Sequence, residues 1–114
     1  MSKRDVRLFL TDIYGAIEKI ERYTKGLTLE EFWENELVAD AVVRNLEIIG
    51  EAARHVSDEF RARFPEADWR RVVGFRNVVI HEYFDVDLDI VWVVINRHMP
   101  KLKKVVARML ETLA

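Results

Sequence analysis

Apolar residues return every three or four positions along this chain, and they do so in three long runs. Val6, Leu10, Ile13, Ile17 and Ile20 form the first. Ala39, Val42, Leu46, Ile49, Ala53, Val56 and Phe60 form the second, and Leu88, Trp92, Ile95, Met99, Leu102, Val106 and Met109 the third. At about 100° per residue each run lies on one helical face. Such faces are buried most simply against one another. The punctuation agrees. Lys25-Gly26 closes the first helix. Thr28 is placed to cap a short helix, with Glu31 completing a capping box and Trp33 inside that helix or just after it. Pro65 ends the second run and restricts Phe64 before it. Trp69 to about Glu82 reads as a further helix. The β-branched "VWVVI" taken alone would suit a strand, but the rhythm continues through Met109 and makes it helical. Pro100 lies inside that last helix and cannot donate to the carbonyl of Asn96, so a kink is expected there. The predicted fold is all-α: one domain over residues 1–114, an antiparallel bundle of four main helices plus a short helix.

Composition narrows the function classes. The chain has 114 residues, 50% hydrophobic and 33% charged, with a formal charge of -2. That is a soluble, globular balance without the overall basic excess of many nucleic-acid binders, so any basic surface is local. With no cysteine, disulfides and thiolate chemistry are excluded. "MSKRDVRLFL" has no uninterrupted apolar run after it and does not read as a secretory signal. The longest apolar run, Ile90 to Ile95, is far too short for a bilayer. A cytoplasmic protein with no membrane association is expected.

One stretch breaks the apolar pattern with polar groups: "RNVVIHEYF", Arg76 to Phe84. On an ideal helix Arg76 and Tyr83 point within roughly 20° of each other, and Asn77 and His81, four apart, are neighbours. Arg76 and His81 diverge by roughly 140°. They converge only if the helix ends near His81 or if a second copy faces the first. Val72 and Val79 flank one stripe of this helix, Trp69, Val73, Ile80 and Phe84 another, and Phe75 and Val78 a third direction. A helix apolar almost all round needs cover almost all round, so a symmetric homodimer burying Phe75 or Val78 near its two-fold axis is expected. Taken without further context, the same residues fit a buried histidine bonded to Asn77 and an arginine paired with Glu82 or another acid.

The fuller stretch "GFRNVVIHEYFDVD" resembles the signature of the HEPN superfamily, and the tyrosine two places after the histidine resembles its HepT-like branch. "AVVRNLEIIGEAAR", Ala41 to Arg54, is similar to that branch's second motif. Pro65, Trp69 and the trailing "VWVVINRHMPKL" fit as well, so the resemblance spans nearly the whole chain. Phe75 departs from it where methionine is more usual, with no change in chemistry.

That resemblance implies a helical homodimer that is the toxin of a type VII-like toxin–antitoxin pair: a metal-independent endoribonuclease silenced by a minimal nucleotidyltransferase antitoxin, which transfers AMP onto a tyrosine. By position, Arg76 and His81 would be catalytic, Asn77 their polar neighbour in the active site and Tyr83 the AMP acceptor. The chemistry suits these residue types. RNA supplies its own nucleophile, the ribose 2′-hydroxyl. A histidine that titrates near neutrality can move the protons, and an arginine can fork onto the phosphate oxygens. Two copies would supply two of each. The expected products carry a 2′,3′-cyclic phosphate and a 5′-hydroxyl, and the scheme needs no metal and no cofactor. An alternative is a non-catalytic nucleotide-binding or interaction subunit of a nucleotidyltransferase complex, with Arg76 and His81 as ligands.

Other features have plainer readings. Arg44, Glu47, Glu51 and Arg54 make a ladder of i,i+3 pairs along one face. Gly50 between them costs roughly 1 kcal/mol relative to alanine in a helix, which points to close helix approach. "DVDLD", Asp85 to Asp89, lacks the glycine and distal glutamate of a calcium loop, and Asp85 or Asp87 serves better as a helix N-cap. His55 and His98 have no evident catalytic company. Arg97 to Leu110 carries five basic residues and no acid, a plain basic helix end or a local surface for RNA or an acidic partner.

Overall fold

The computed structural model of the chain describes residues 2–81 and 87–114, with the side chains of 77–81 outside that description. The described residues contain helices and no strand. In order these are α1 (Lys3–Thr24), α2 (Leu29–Glu34), α3 (Glu36–Arg54), α4 (Asp58–Ala62), α5 (Trp69–His81), α6 (Leu88–Val93), a π-helical turn (Val94–His98) and α7 (Met99–Thr112). α6, the π turn and α7 are continuous, so α1, α3, α5 and this composite helix are the four main rods expected from the periodicity.

Short side chains start nearly every rod. Ser2 and Asp5 form a capping box on α1. On α2 the Thr28 hydroxyl accepts from the Glu31 N–H at 3.1 Å and Glu31 accepts from the Thr28 N–H at 2.9 Å, as "TLEE" predicts. Asn35 ends α2 and caps α3, accepting from the Val38 N–H at 3.0 Å. Asp87 caps α6, accepting from the Asp89 N–H at 2.9 Å. The "DVDLD" run is thus a helix start at Asp87; Asp85 lies outside the described residues. Gly26, at φ 78°, takes the left-handed turn that stops α1.

One expectation is corrected. The run from Ala39 to Phe60 is not a single helix. α3 stops at Arg54, and Ser57 starts α4 by accepting from the Phe60 N–H at 3.2 Å. Val56 keeps its buried place in the connection, which is why the apolar rhythm passes through the break unbroken. A serine cap competes with helix continuation wherever the chain can turn, and Ser57 was the signal.

The break at Pro100 takes the form of a π turn. The Met99 N–H reaches back five residues to the Val94 carbonyl. Pro100 follows directly, in the first turn of α7, so the widened turn stands next to the residue that cannot donate.

The core lies where the three runs meet. Leu10, Ile13, Ile17 and Ile20 of α1, Val42, Ile49 and Ala53 of α3, and Val106 and Met109 of α7 are fully buried. Each large side chain so placed contributes roughly 1.5–3 kcal/mol of burial. Phe32 of α2, also fully buried, packs its ring 5.2 Å from Trp92 of α6. The neighbours run antiparallel. Phe9 near the start of α1 stacks on His55 at the end of α3, ring centroids 5.0 Å apart. Arg7 donates to the Leu113 carbonyl, and Glu21, late in α1, meets Lys103, early in α7, at 2.7 Å. That hydrogen bond holds the Lys103 ammonium above its ordinary range. No described helix is long and apolar enough to cross a membrane.

Candidate active site

α5 comes unusually close to α3, and Gly50 is the reason. A Cβ at Gly50 would stand 2.7 Å from the Arg76 backbone nitrogen, 3.0 Å from the Arg76 Cβ and 3.2 Å from the Val73 carbonyl oxygen. The close approach inferred from "IIGEAAR" is therefore made against the residue that opens "RNVVIHEYF". Gly50→Ala gains roughly 1 kcal/mol of helix propensity, but the added methyl meets backbone that cannot rotate away. Overpacking of this kind costs roughly 1–3 kcal/mol. A net loss is expected, read as a lower thermal midpoint. Gly15→Ala is the control: nothing lies within 4 Å of its Cβ position on α1, so the midpoint should rise. Equal or greater stability for Gly50→Ala than for wild type would contradict the close approach.

The approach sets Arg76 beside Glu51. Their Nε and Oε2 atoms are 2.7 Å apart, and both side chains are about 40% exposed (40% and 39%). The arginine is thus anchored yet open to a ligand. Glu51 has further partners through its other oxygen: Arg54 donates to Oε1 at 2.9 Å, and His55 Nε2 lies 3.1 Å from it. The Arg54 hydrogen bond, with that of His55 and the charges of Arg54 and Arg76, outweighs burial and holds the Glu51 carboxyl below its ordinary 4.5. Glu51 is ionised at neutral pH. Arg76, Glu51 and His55 line a cavity of about 430 Å³ together with Phe9, Asp12 and Glu47. It offers an arginine for a phosphate beside acidic and aromatic groups.

The remaining sequence-predicted residues divide. His81 is the last residue of α5, but its side chain and that of Asn77 lie outside the described residues, as does the whole of Tyr83 and the acid Glu82. The arginine's acid is Glu51 in α3. Phe75 is 7% exposed within its own chain, so it is core packing and not free for a two-fold axis. The Val78 side chain lies outside the description. Exposed large apolar side chains stand on α6, at Ile90 (60%) and Val93 (44%), and elsewhere at Leu8, Trp33 and Leu37.

Sequence reading missed Glu51 and His55 as members of this site. The ladder it saw is real: Arg44 meets Glu47 at 3.4 Å and Arg54 meets Glu51 at 2.9 Å. What spacing along one helix could not reveal is that Glu51 also reaches a second helix. The available signal was its position directly after Gly50. His98 likewise has company in Arg71, whose Nη1 is 2.8 Å from its Nε2.

A family model described as "Ribonuclease HepT-like" matches residues 13–109. The chain belongs to the HepT-like ribonuclease family. Its relatives include a candidate RNase of Methanocaldococcus jannaschii, 43% identical over 104 residues, 91% of this chain and 95% of that protein. A second protein of the same organism, named as a gamma-glutamylcyclotransferase and candidate RNase, is 38% identical over 111 residues; the match takes in 97% of this chain and 50% of that longer protein. A probable ribonuclease HepT of Thermococcus cleftensis is 39% identical over 101 residues, 89% of this chain and 92% of that one. No solved structure matches the chain significantly. In this HepT-like chain Glu51 and Arg76 lie on α3 and α5, both within the matched span.

Proposed function

We propose that this HepT-like chain is a metal-independent endoribonuclease and the toxin of a toxin–antitoxin pair, with Arg76 and His81 as its catalytic residues. The observation that carries the reading is Arg76: a half-exposed guanidinium, anchored at Nε on an ionised Glu51, at the edge of a cavity and on the helix that His81 ends. RNA held there would be cleaved by its own 2′-hydroxyl. A histidine takes the 2′ proton, the 2′-oxygen bonds to phosphorus, the P–O5′ bond breaks, and the 5′-oxygen leaves with a proton from a second acid. Arg76 faces the charge that gathers on the phosphorane, and Asn77 is the polar neighbour of that centre.

Positions 76 and 81 diverge by roughly 140° on a regular helix, and α5 is helical through His81. A second copy of the chain would supply the missing histidine. The working species is therefore a homodimer, and light scattering at micromolar concentration should give about twice the 13.5 kDa chain mass. A clean monomer there contradicts the composite site. The partner that silences the enzyme is a minimal nucleotidyltransferase that transfers AMP to Tyr83. The deciding experiment is incubation of the unmodified protein with a mixed-sequence RNA pool in EDTA, beside His81→Ala. Cleavage by the first alone is expected. Cleavage that needs an added divalent ion, or none at all, overturns the proposal.

A further inference from the structure

We infer that Glu51 is a positioning residue for Arg76: its carboxylate, fixed on one side by Arg54 and His55, grips the guanidinium at its inner Nε and so aims the outer Nη pair at the phosphate. The inference rests on the reading of Arg76 as the phosphate-binding group. Three observations carry it.

First, the two oxygens of Glu51 divide their work. Oε1 takes Arg54 at 2.9 Å and lies 3.1 Å from His55, while Oε2 is 2.7 Å from Arg76 Nε. Oε2 is shielded from solvent and accepts no aligned hydrogen bond among the described residues. The arginine's charge is what compensates it there.

Second, the distance is set by backbone. Gly50 allows the Arg76 main chain to come against α3, and Glu51, the next residue, lies within 2.7 Å of the guanidinium. Third, the far side of the carboxylate is itself braced. His55 stacks against Phe9 of α1, with 15° between ring planes. Three helices thus meet around one carboxylate.

The chemistry needs such a brace. A free arginine side chain has many rotamers and loses entropy when a phosphate orders it. Its value over lysine is a planar fork, which helps only when the fork faces the phosphate oxygens. Holding Nε leaves the outer edge for the substrate and removes that freedom beforehand.

The test is a double-mutant cycle on the full-length protein, read as single-turnover cleavage of a mixed-sequence RNA pool in EDTA. Glu51→Gln should lower the rate between about 10- and 100-fold, with unchanged helical circular dichroism. Glu51→Asp, which keeps the charge, should recover part of the loss, and it stands in should the glutamine variant fail to fold. Arg76→Lys retains a point charge with no fork to orient. Adding Glu51→Gln, or Glu51→Asp, to it should therefore cost little more. If the two losses multiply, Glu51 acts independently of Arg76 and the inference is wrong. It is equally wrong if Arg76→Ala is inactive while Glu51→Gln cleaves like wild type, and the ribonuclease reading then survives. If Arg76→Ala itself cleaves like wild type, the reading of Arg76 fails and takes the inference with it.

Discussion

Arg76→Ala and His81→Ala should each lower the rate of RNA cleavage by roughly 10²- to 10⁴-fold, the range set by loss of a charge-stabilising donor or of a general acid–base group. The fold should survive both. The Arg76 and Glu51 side chains are 40% and 39% exposed, and Arg76 is no part of the buried core, so its loss does not open the interior. When Arg76 is removed, Glu51 keeps Arg54 and His55 on Oε1, while Oε2 loses its compensating charge, so a modest fall in stability is expected for Arg76→Ala. Val72 and Phe75 on α5 are buried in the core, as are Leu46 and Ile49 on α3, the helix it packs against. His81 lies at the C-terminal end of the described part of α5, and alanine there keeps helix propensity. The measurement is cleavage rate beside circular dichroism and dimer mass. Near-wild-type rates for either variant would remove that residue from the proposed site, and restoration of activity by a divalent ion after EDTA would point to metal chemistry instead.

Tyr83→Phe should leave the nuclease active and make it immune to its antitoxin. In the proposed modification the tyrosine oxygen bonds to the α-phosphorus of ATP, the phenolic proton is lost and pyrophosphate leaves. Each transfer adds a phosphodiester charge and a nucleoside two residues beyond His81. In this proposal that phosphate becomes a charge-assisted partner for Arg76 and competes with RNA for it. Occlusion at the site suffices for silencing, with no distant rearrangement. With the cognate nucleotidyltransferase and ATP, intact-mass spectrometry should show AMP additions on the wild-type chain and none on the variant. Cleavage should be lost for the first and kept for the second. A Tyr83→Phe chain that is still modified and silenced would place the acceptor elsewhere, Tyr14 and Tyr23 being the other tyrosines.

Most of the bundle was legible because burial and periodicity coincide. Every residue of the first apolar run is buried, and the capping box at Thr28 and the stop at Gly26 were local signals read correctly. What failed were places where a short polar side chain overrides the rhythm. Val56 is buried whether or not the helix continues, so the apolar pattern could not register the break that Ser57 creates. At Pro100 the sequence shows which hydrogen bond is missing but not how the chain accommodates it, and a π turn is one of several solutions.

The site divides along the same line. Polar residues interrupting an apolar stretch drew attention to Arg76, and the resemblance of that stretch to the HEPN signature implied its role; Gly50 stood out because a glycine within a helix asks for a reason. The contact between them joins α3 to α5, and no spacing along one helix encodes it. Glu51 was read as half of an i,i+3 pair, which it is, and its second partner required the neighbouring helix. Phe75 erred in the opposite sense: its direction on the helix suggested a subunit interface, whereas the core of its own chain covers it.

End-group analysis of RNA cut by the purified, unmodified protein in EDTA tests the proposed chemistry most directly. Attack by the ribose 2′-hydroxyl, with Arg76 and His81 serving the phosphate, gives fragments ending in a 2′,3′-cyclic phosphate and beginning with a 5′-hydroxyl, and none from the His81→Ala protein. Fragments carrying a 5′-phosphate and a free 3′-hydroxyl would show that water and not the ribose is the nucleophile, and would contradict it.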